Sequence, residues 1–142
     1  MAGIPEDLLE QAVQAALAVR ERAYAPFSGF RVGAAVVGAS GRVYTGVNVE
    51  NSSYGLTICA ERVALFRMVT EGERRAVAVV VATDTPAPVM PCGACRQVLY
   101  EFGGPDLRVI AVTLQGARRE VRLGDLLPDG FRLDPETRQP ED

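Results

Sequence analysis

The sequence contains no histidine, so no imidazole can serve as general base, proton shuttle or metal ligand. It contains no lysine either: all 15 basic residues are arginine, which excludes Schiff-base chemistry on a lysine amine. The missing lysine is read as genome composition and carries no function of its own. No apolar run approaches the ~20 residues of a membrane-spanning helix. The opening Met1-Ala2-Gly3-Ile4-Pro5-Glu6-Asp7 does not read as a signal peptide. The net charge of -3 gives no basic footprint, so nucleic acid is not an expected partner, and neither is a membrane. A cytoplasmic location is expected, where free thiols survive and a disulfide reading of three cysteines is weak. At 142 residues the chain suits one well-buried core and is short for two ordinary domains. One domain over 1–142 is expected, with a loose, charged, proline-bearing tail from about 132 to 142.

Without histidine or lysine, proton transfer near neutral pH falls to a carboxylate, a thiol, a tyrosine or a metal-activated water. The three cysteines lie in two short stretches, Cys59-Ala60-Glu61-Arg62 and Pro91-Cys92-Gly93-Ala94-Cys95. Three thiolates are one short of a closed structural zinc site. They are the right number for a catalytic zinc that keeps its fourth position for water. Glu61, two residues from the first thiolate, is the natural candidate to move that water's protons.

The apolar pattern places these stretches in a fold. Leu8, Leu9, Ala12, Val13, Ala16 and Leu17 form a helical stripe within residues 5–22. A β-hairpin follows, with strands at 32–37 and 42–50 around the turn Gly38-Ala39-Ser40-Gly41. Along its second strand Tyr44, Asn48 and Glu50 share one side. A mostly buried helix is expected from Cys59 to about Thr70, with Gly72 as its stop. The Ala/Val run 76–82 and the segment 107–114 read as strands covered on both faces. A helix starting at Cys92 lies between them, and Glu120–Leu123 reads as a short fifth strand. The predicted fold class is therefore α/β, a single mixed five-stranded sheet with helices on both faces. Both cysteine stretches open helices, where the positive end of the helix dipole favours a thiolate.

A zinc ion with three thiolates carries net charge -1, so its water is harder to ionise than one on a histidine-held metal. The two helix starts offset part of that charge. Arg62 is predicted to offset more by hydrogen-bonding a thiolate sulfur; an ordinary surface arginine is its plainer reading. Spacing alone leaves two rivals open. A redox CxxC gives Cys59 and Glu61 no task, and a structural zinc site needs a fourth ligand. Phe27 and Phe30 on their own read as core aromatics, and Asn48 with Glu50 as a solvated strand end.

At these residues the chain resembles the short, three-cysteine, zinc-dependent cytidine deaminases. The ligand-x-Glu followed by Pro-Cys-x-x-Cys is a deaminase signature, with cysteine here in the place usually taken by histidine. Phe30-Arg31-Val32-Gly33-Ala34-Ala35, Asn48-Val49-Glu50-Asn51, Tyr54-Gly55-Leu56-Thr57 and Leu126-Leu127-Pro128 resemble family blocks in the same order, over roughly residues 6–131. Arg31 departs from a frequent proline. The resemblance implies a three-layer α/β/α fold, one Zn2+ per chain on Cys59, Cys92 and Cys95, and Glu61 as the catalytic proton carrier. It implies substrate binding by Phe30 against the pyrimidine, by Asn48 and Glu50 at the ribose 3′-hydroxyl, and by the Ala60 N–H at the base carbonyl. Phe131 resembles an aromatic that reaches a neighbouring subunit's site in a homotetramer. The implied reaction converts cytidine or deoxycytidine to uridine or deoxyuridine with release of ammonia, in pyrimidine salvage. Blasticidin S deaminases share the cysteines but lack a counterpart of Glu50.

Overall fold

The computed structural model describes residues 3–133; most of the expected C-terminal tail lies outside them. The first stripe forms α1 (Glu6–Val19), which buries Leu9, Ala12, Val13 and Ala16. Glu6 and Asp7 lie in its first turn, where acidic charge complements the helix dipole. A single 3-10 turn over Arg20–Arg22 follows. The hairpin pairs β1 (Val32–Gly38) with β2 (Val43–Val47), antiparallel. Then come α2 (Ala60–Thr70), β3 (Ala76–Thr83), α3 (Gly93–Gly103), β4 (Arg108–Thr113), β5 (Arg118–Arg122) and the short α4 (Leu123–Leu126).

The strands make one mixed sheet in the order β2-β1-β3-β4-β5. Only β3 and β4 run parallel, joined through α3; every other neighbouring pair is antiparallel. Side-chain alternation divides the core in two. Val32, Ala34 and Val36 of β1 face Leu65 and Met68 of α2, Leu99 of α3 and Leu123 of α4. Ala35 and Val37 face Leu9, Ala12, Val13 and Ala16 of α1. The three central strands are buried on both sides, which explains their unbroken small apolar sequence.

Three expectations shift. The second hairpin strand ends at Val47 rather than Glu50, because Val49 leaves β1 and bridges Tyr24 and Ile58 instead. This bends Asn48 and Glu50 towards the loops. The fifth strand begins at Arg118 and is almost wholly exposed, so it carried no alternating apolar signal. The second helix is one-sided: it buries Ala60, Glu61, Ala64, Leu65 and Met68 but leaves Phe66 in solvent.

Two glycines set where α2 lies. At Gly46 on β2, a Cβ would collide with the Ala64 nitrogen and approach the Ala60 oxygen to 2.8 Å. Only a glycine lets the first turns of α2 rest this closely on the strand. Gly72 takes φ 98° and ends the helix, with its N–H on Val69 O and the Glu73 N–H on Met68 O. Among the described residues no helix is long and apolar enough to cross a membrane.

Candidate active site

Cys59 is the N-cap of α2 and Cys92 the N-cap of α3, both with extended backbone, and Cys95 lies one turn inside α3. Serine, threonine or aspartate usually fills an N-cap; here a thiol stands where the unpaired helix N–H groups converge. The three Sγ atoms lie within 4.8 Å of one another, and Cys59 and Cys92 are 3.8 Å apart. Tetrahedral zinc with bonds of about 2.3 Å needs sulfurs about 3.8 Å apart. The donor set therefore fits a zinc ion and leaves one coordination position open.

The surroundings differentiate the thiols. Cys59 is held down to about 5 by its interaction with Cys95, against the effect of burial, with Arg62 lowering it further. The same interaction, with burial, pushes Cys95 up. The first thiolate thus forms at Cys59, where the Arg62 Nη2 donates at 3.6 Å. Arg62 is the only positive side chain bonded to a sulfur among the described residues.

Glu61 is the second residue of α2 and only 5% exposed. Burial raises its carboxyl to about 7; its own backbone N–H and Arg62 pull the other way, while Cys59 adds to the rise. A carboxyl poised there can exchange a proton near neutral pH.

These groups line a cavity of about 270 Å³. Cys59, Ala60, Glu61 and Cys92 line it together with Phe30, Asn48 and Glu50. Phe30 is 43% exposed and Phe27 49%, so neither is a core aromatic; Phe27 instead packs on Tyr54, ring centroids 5.6 Å apart. Ala60 is fully buried at the first position of α2, and its N–H is one of the donors without an intrahelical partner.

Asn48 and Glu50 are already at work within the chain. Asn48 Nδ2 donates to Phe30 O at 2.7 Å, and its Oδ1 accepts from the Val32 N–H at 2.9 Å. Glu50 accepts from the Phe27 and Ser28 N–H groups at 2.9 and 3.2 Å and from the Ser28 hydroxyl. An amide offers two donors and two lone pairs, an ionised carboxylate about four acceptor sites. Each side chain thus keeps capacity for a ligand after fixing the loop that carries Phe30. The Ser28 hydroxyl, outweighing desolvation, holds Glu50 below the usual carboxylate range, aided by the two N–H groups.

Phe131 is exposed, and its carbonyl accepts from Gln97 Nε2 at 3.3 Å; it does not line this cavity. The sequence reading missed Thr83, Val89 and Met90, which line its wall. Thr83 is buried at the end of β3, and its hydroxyl meets Thr85 at 2.7 Å. A threonine closing an Ala/Val run was the one available signal.

Residues 6–112 match the family model described as the cytidine and deoxycytidylate deaminase zinc-binding region. The chain belongs to this family. It is 50% identical over 124 residues to a cytidine deaminase of Halalkalibacterium halodurans, covering 87% of this chain and 91% of the relative. A Mycobacterium tuberculosis cytidine deaminase is 48% identical over 112 residues, 79% of this chain and 80% of the relative. Among solved structures, a cytidine deaminase from Burkholderia pseudomallei superimposes with a TM-score of 0.83 at 51% identity, over 86% of this chain and 98% of that one. One from Mycobacterium tuberculosis gives 0.77 at 43%, over 88% and 98%. The family's α/β/α fold and zinc dependence thus accord with the sheet and the three sulfurs.

Proposed function

We propose that the protein hydrolyses the C4 amino group of cytidine and deoxycytidine, giving uridine and deoxyuridine with release of ammonia. One observation carries the reading: a buried carboxyl beside three converging sulfurs, on a cavity whose lining also offers an aromatic ring and two polar side chains. Zinc held by Cys59, Cys92 and Cys95 supplies Lewis-acid activation of a water. Glu61 takes one proton of the attacking water and delivers it to N3, then carries the proton of the new C4 hydroxyl to the departing amino group. Ammonia leaves and a C4 carbonyl remains. One carboxyl acting as base and then as acid suits a chain without histidine, and burial gives Glu61 a proton affinity suited to both roles. The Ala60 N–H binds the base carbonyl, Phe30 packs on the pyrimidine, and Asn48 and Glu50 receive the ribose 3′-hydroxyl. Arg62 neutralises charge on the thiolates.

The remaining assignments belong to the same proposal. Residues 1–142 act as one domain built on one sheet. The working unit is a homotetramer in the cytoplasm, with Phe131 reaching a neighbour's site. Tyr54, Leu56 and Phe131 support the assembly, since large side chains this exposed are natural contact groups. Cytidine-dependent absorbance loss, zinc content and light-scattering mass on one preparation test the reading. The expected result is turnover, one zinc per chain and four chains per particle. Zinc-loaded protein that leaves cytidine unchanged would refute it.

A further inference from the structure

Cys92 is the exposed member of the trio. It follows a loop containing Pro86, Pro88 and Pro91, and as the N-cap of α3 it joins the helical hydrogen-bond ladder through its carbonyl alone. The peptide that enters it needs another support. Both peptide groups of Cys92 are tied to one residue four positions on. The Arg96 Nε donates to Pro91 O at 2.7 Å, and the Arg96 backbone N–H donates to Cys92 O at 3.0 Å. The second bond is an ordinary helical one, but the first is not. It turns a guanidinium back along α3 to the peptide that enters the cysteine. A further nitrogen of the same group, Nη1, donates to Leu126 O at 3.1 Å, at the end of α4.

We propose that Arg96 is a positioning residue for the metal centre, clamping Cys92 from both sides and bracing that clamp on α4. This rests on the three cysteines being the zinc ligands. The planar guanidinium suits the task because its N–H groups point in fixed, divergent directions and reach two carbonyls at once. A lysine ammonium reaches one of them and carries the same charge. Arg96 touches neither cavity nor sulfur, so its effect passes through the Cys92 backbone. Gln97 provides the contrast. It joins the same helix to the same C-terminal segment, through Phe131 O, without touching Pro91.

The test compares zinc-loaded parent, Arg96→Met, Arg96→Lys and Gln97→Ala. Zinc release to a chromogenic chelator is followed well below the melting temperature, and cobalt(II)-substituted protein gives the thiolate-to-metal absorption bands. Loss of an outer-shell partner typically costs 10–100-fold in metal affinity. Arg96→Met should release zinc about 10-fold faster or more and shift the cobalt bands, with Arg96→Lys in between and Gln97→Ala like the parent. Parental release and parental bands in Arg96→Met overturn the proposal; so does equal acceleration in Gln97→Ala, which would mean general loosening. If Arg96→Met does not fold, Arg96→Lys decides: faster release supports the clamp, and a parental rate overturns it. A parent chain that binds no zinc overturns the ligand assignment itself, a result distinct from failure of the clamp alone.

Discussion

Two carboxylates line the same cavity and are treated in opposite ways. Glu61 is buried in the first turn of α2, with its own backbone N–H as partner and its carboxyl raised to about 7. Glu50 sits on a loop near solvent, with three donors from Phe27 and Ser28 and its carboxyl held low. The first environment suits a group that must gain and lose a proton. The second suits one that must stay charged and accept hydrogen bonds. A carboxylate's neighbours, rather than its identity, divide the chemical end of the cavity from the recognition end.

The largest expected effect tests the chemical end. Glu61→Ala should lower cytidine turnover by about 10⁴-fold or more, the top of the range for a general acid–base group, because the proposed mechanism uses Glu61 at more than one step. The variant should still fold, hold zinc and bind cytidine, since the cysteines, Phe30, Asn48, Glu50 and the Ala60 N–H are untouched. Zinc content, melting temperature and turnover measured together check this. A folded, zinc-loaded variant with near-parental turnover would take proton transfer away from Glu61 and erase the difference between the carboxylates.

The next effect falls on the frame of the chemical end. Gly46→Ala inserts a methyl between β2 and the backbone of Ala60 and Ala64. Overpacking typically costs 1–3 kcal/mol, and contact with backbone on the far side leaves little room to adjust, so about 3 kcal/mol is expected. Denaturant midpoints at constant slope read it. A midpoint equal to the parent's would mean that α2 does not depend on this close approach.

Much of this frame was legible beforehand, and the reason is local. The stripe from Leu8 to Leu17, the Ala/Val run of β3 and the glycine stop at Gly72 are short-range patterns, and the cysteine spacings report one helix turn at a time. What stayed hidden depends on segments far apart in sequence. The Asn48 amide is fixed by the backbone at Phe30 and Val32, and Arg96 reaches Leu126, thirty residues on. No periodicity announces a side chain bonded to distant backbone. For the same reason Asn48 and Glu50 read as a strand end facing one way, whereas they also hold the loop bearing Phe30. The edge strand β5 was read short because its outward residues are mostly arginine and glutamate, with no buried face to impose alternation.

The recognition end gives a smaller expected loss. Glu50→Ala removes three loop bonds and the proposed acceptor for the ribose hydroxyl, and hydrogen bonds to a charged group are worth about 1.5–3 kcal/mol. A fall of about 100-fold in kcat/KM for cytidine follows, with zinc content unchanged. Free cytosine, which has no sugar to hold, should be a very poor substrate for the parent and should lose little more in the variant. Equal sensitivity of cytosine and cytidine to the substitution would assign Glu50 to loop stability alone.

The smallest effect is in stability at acid pH, where the two carboxylates should part again. Glu50 has a folded-state value below its reference of 4.5. Its contribution is therefore complete above that reference and is lost as pH falls through the lower folded value. Glu61 has a raised value, so the folded state already favours its protonated form, and acid removes nothing that its charge had supplied. Comparing the parent with Glu50→Gln isolates the first group, because every other carboxylate, including Glu73 on the Ser40 turn, titrates in both proteins. The parent should melt higher at about pH 6, and the gap should narrow as pH falls below the reference of 4.5. Glu50 is near solvent, so the gap should be small, and its pH dependence is the informative part. A gap constant across the range would show that Glu50 acts through shape, with no part for its charge. A gap that widened towards acid would reverse the sign and place Glu50 in the same class as Glu61.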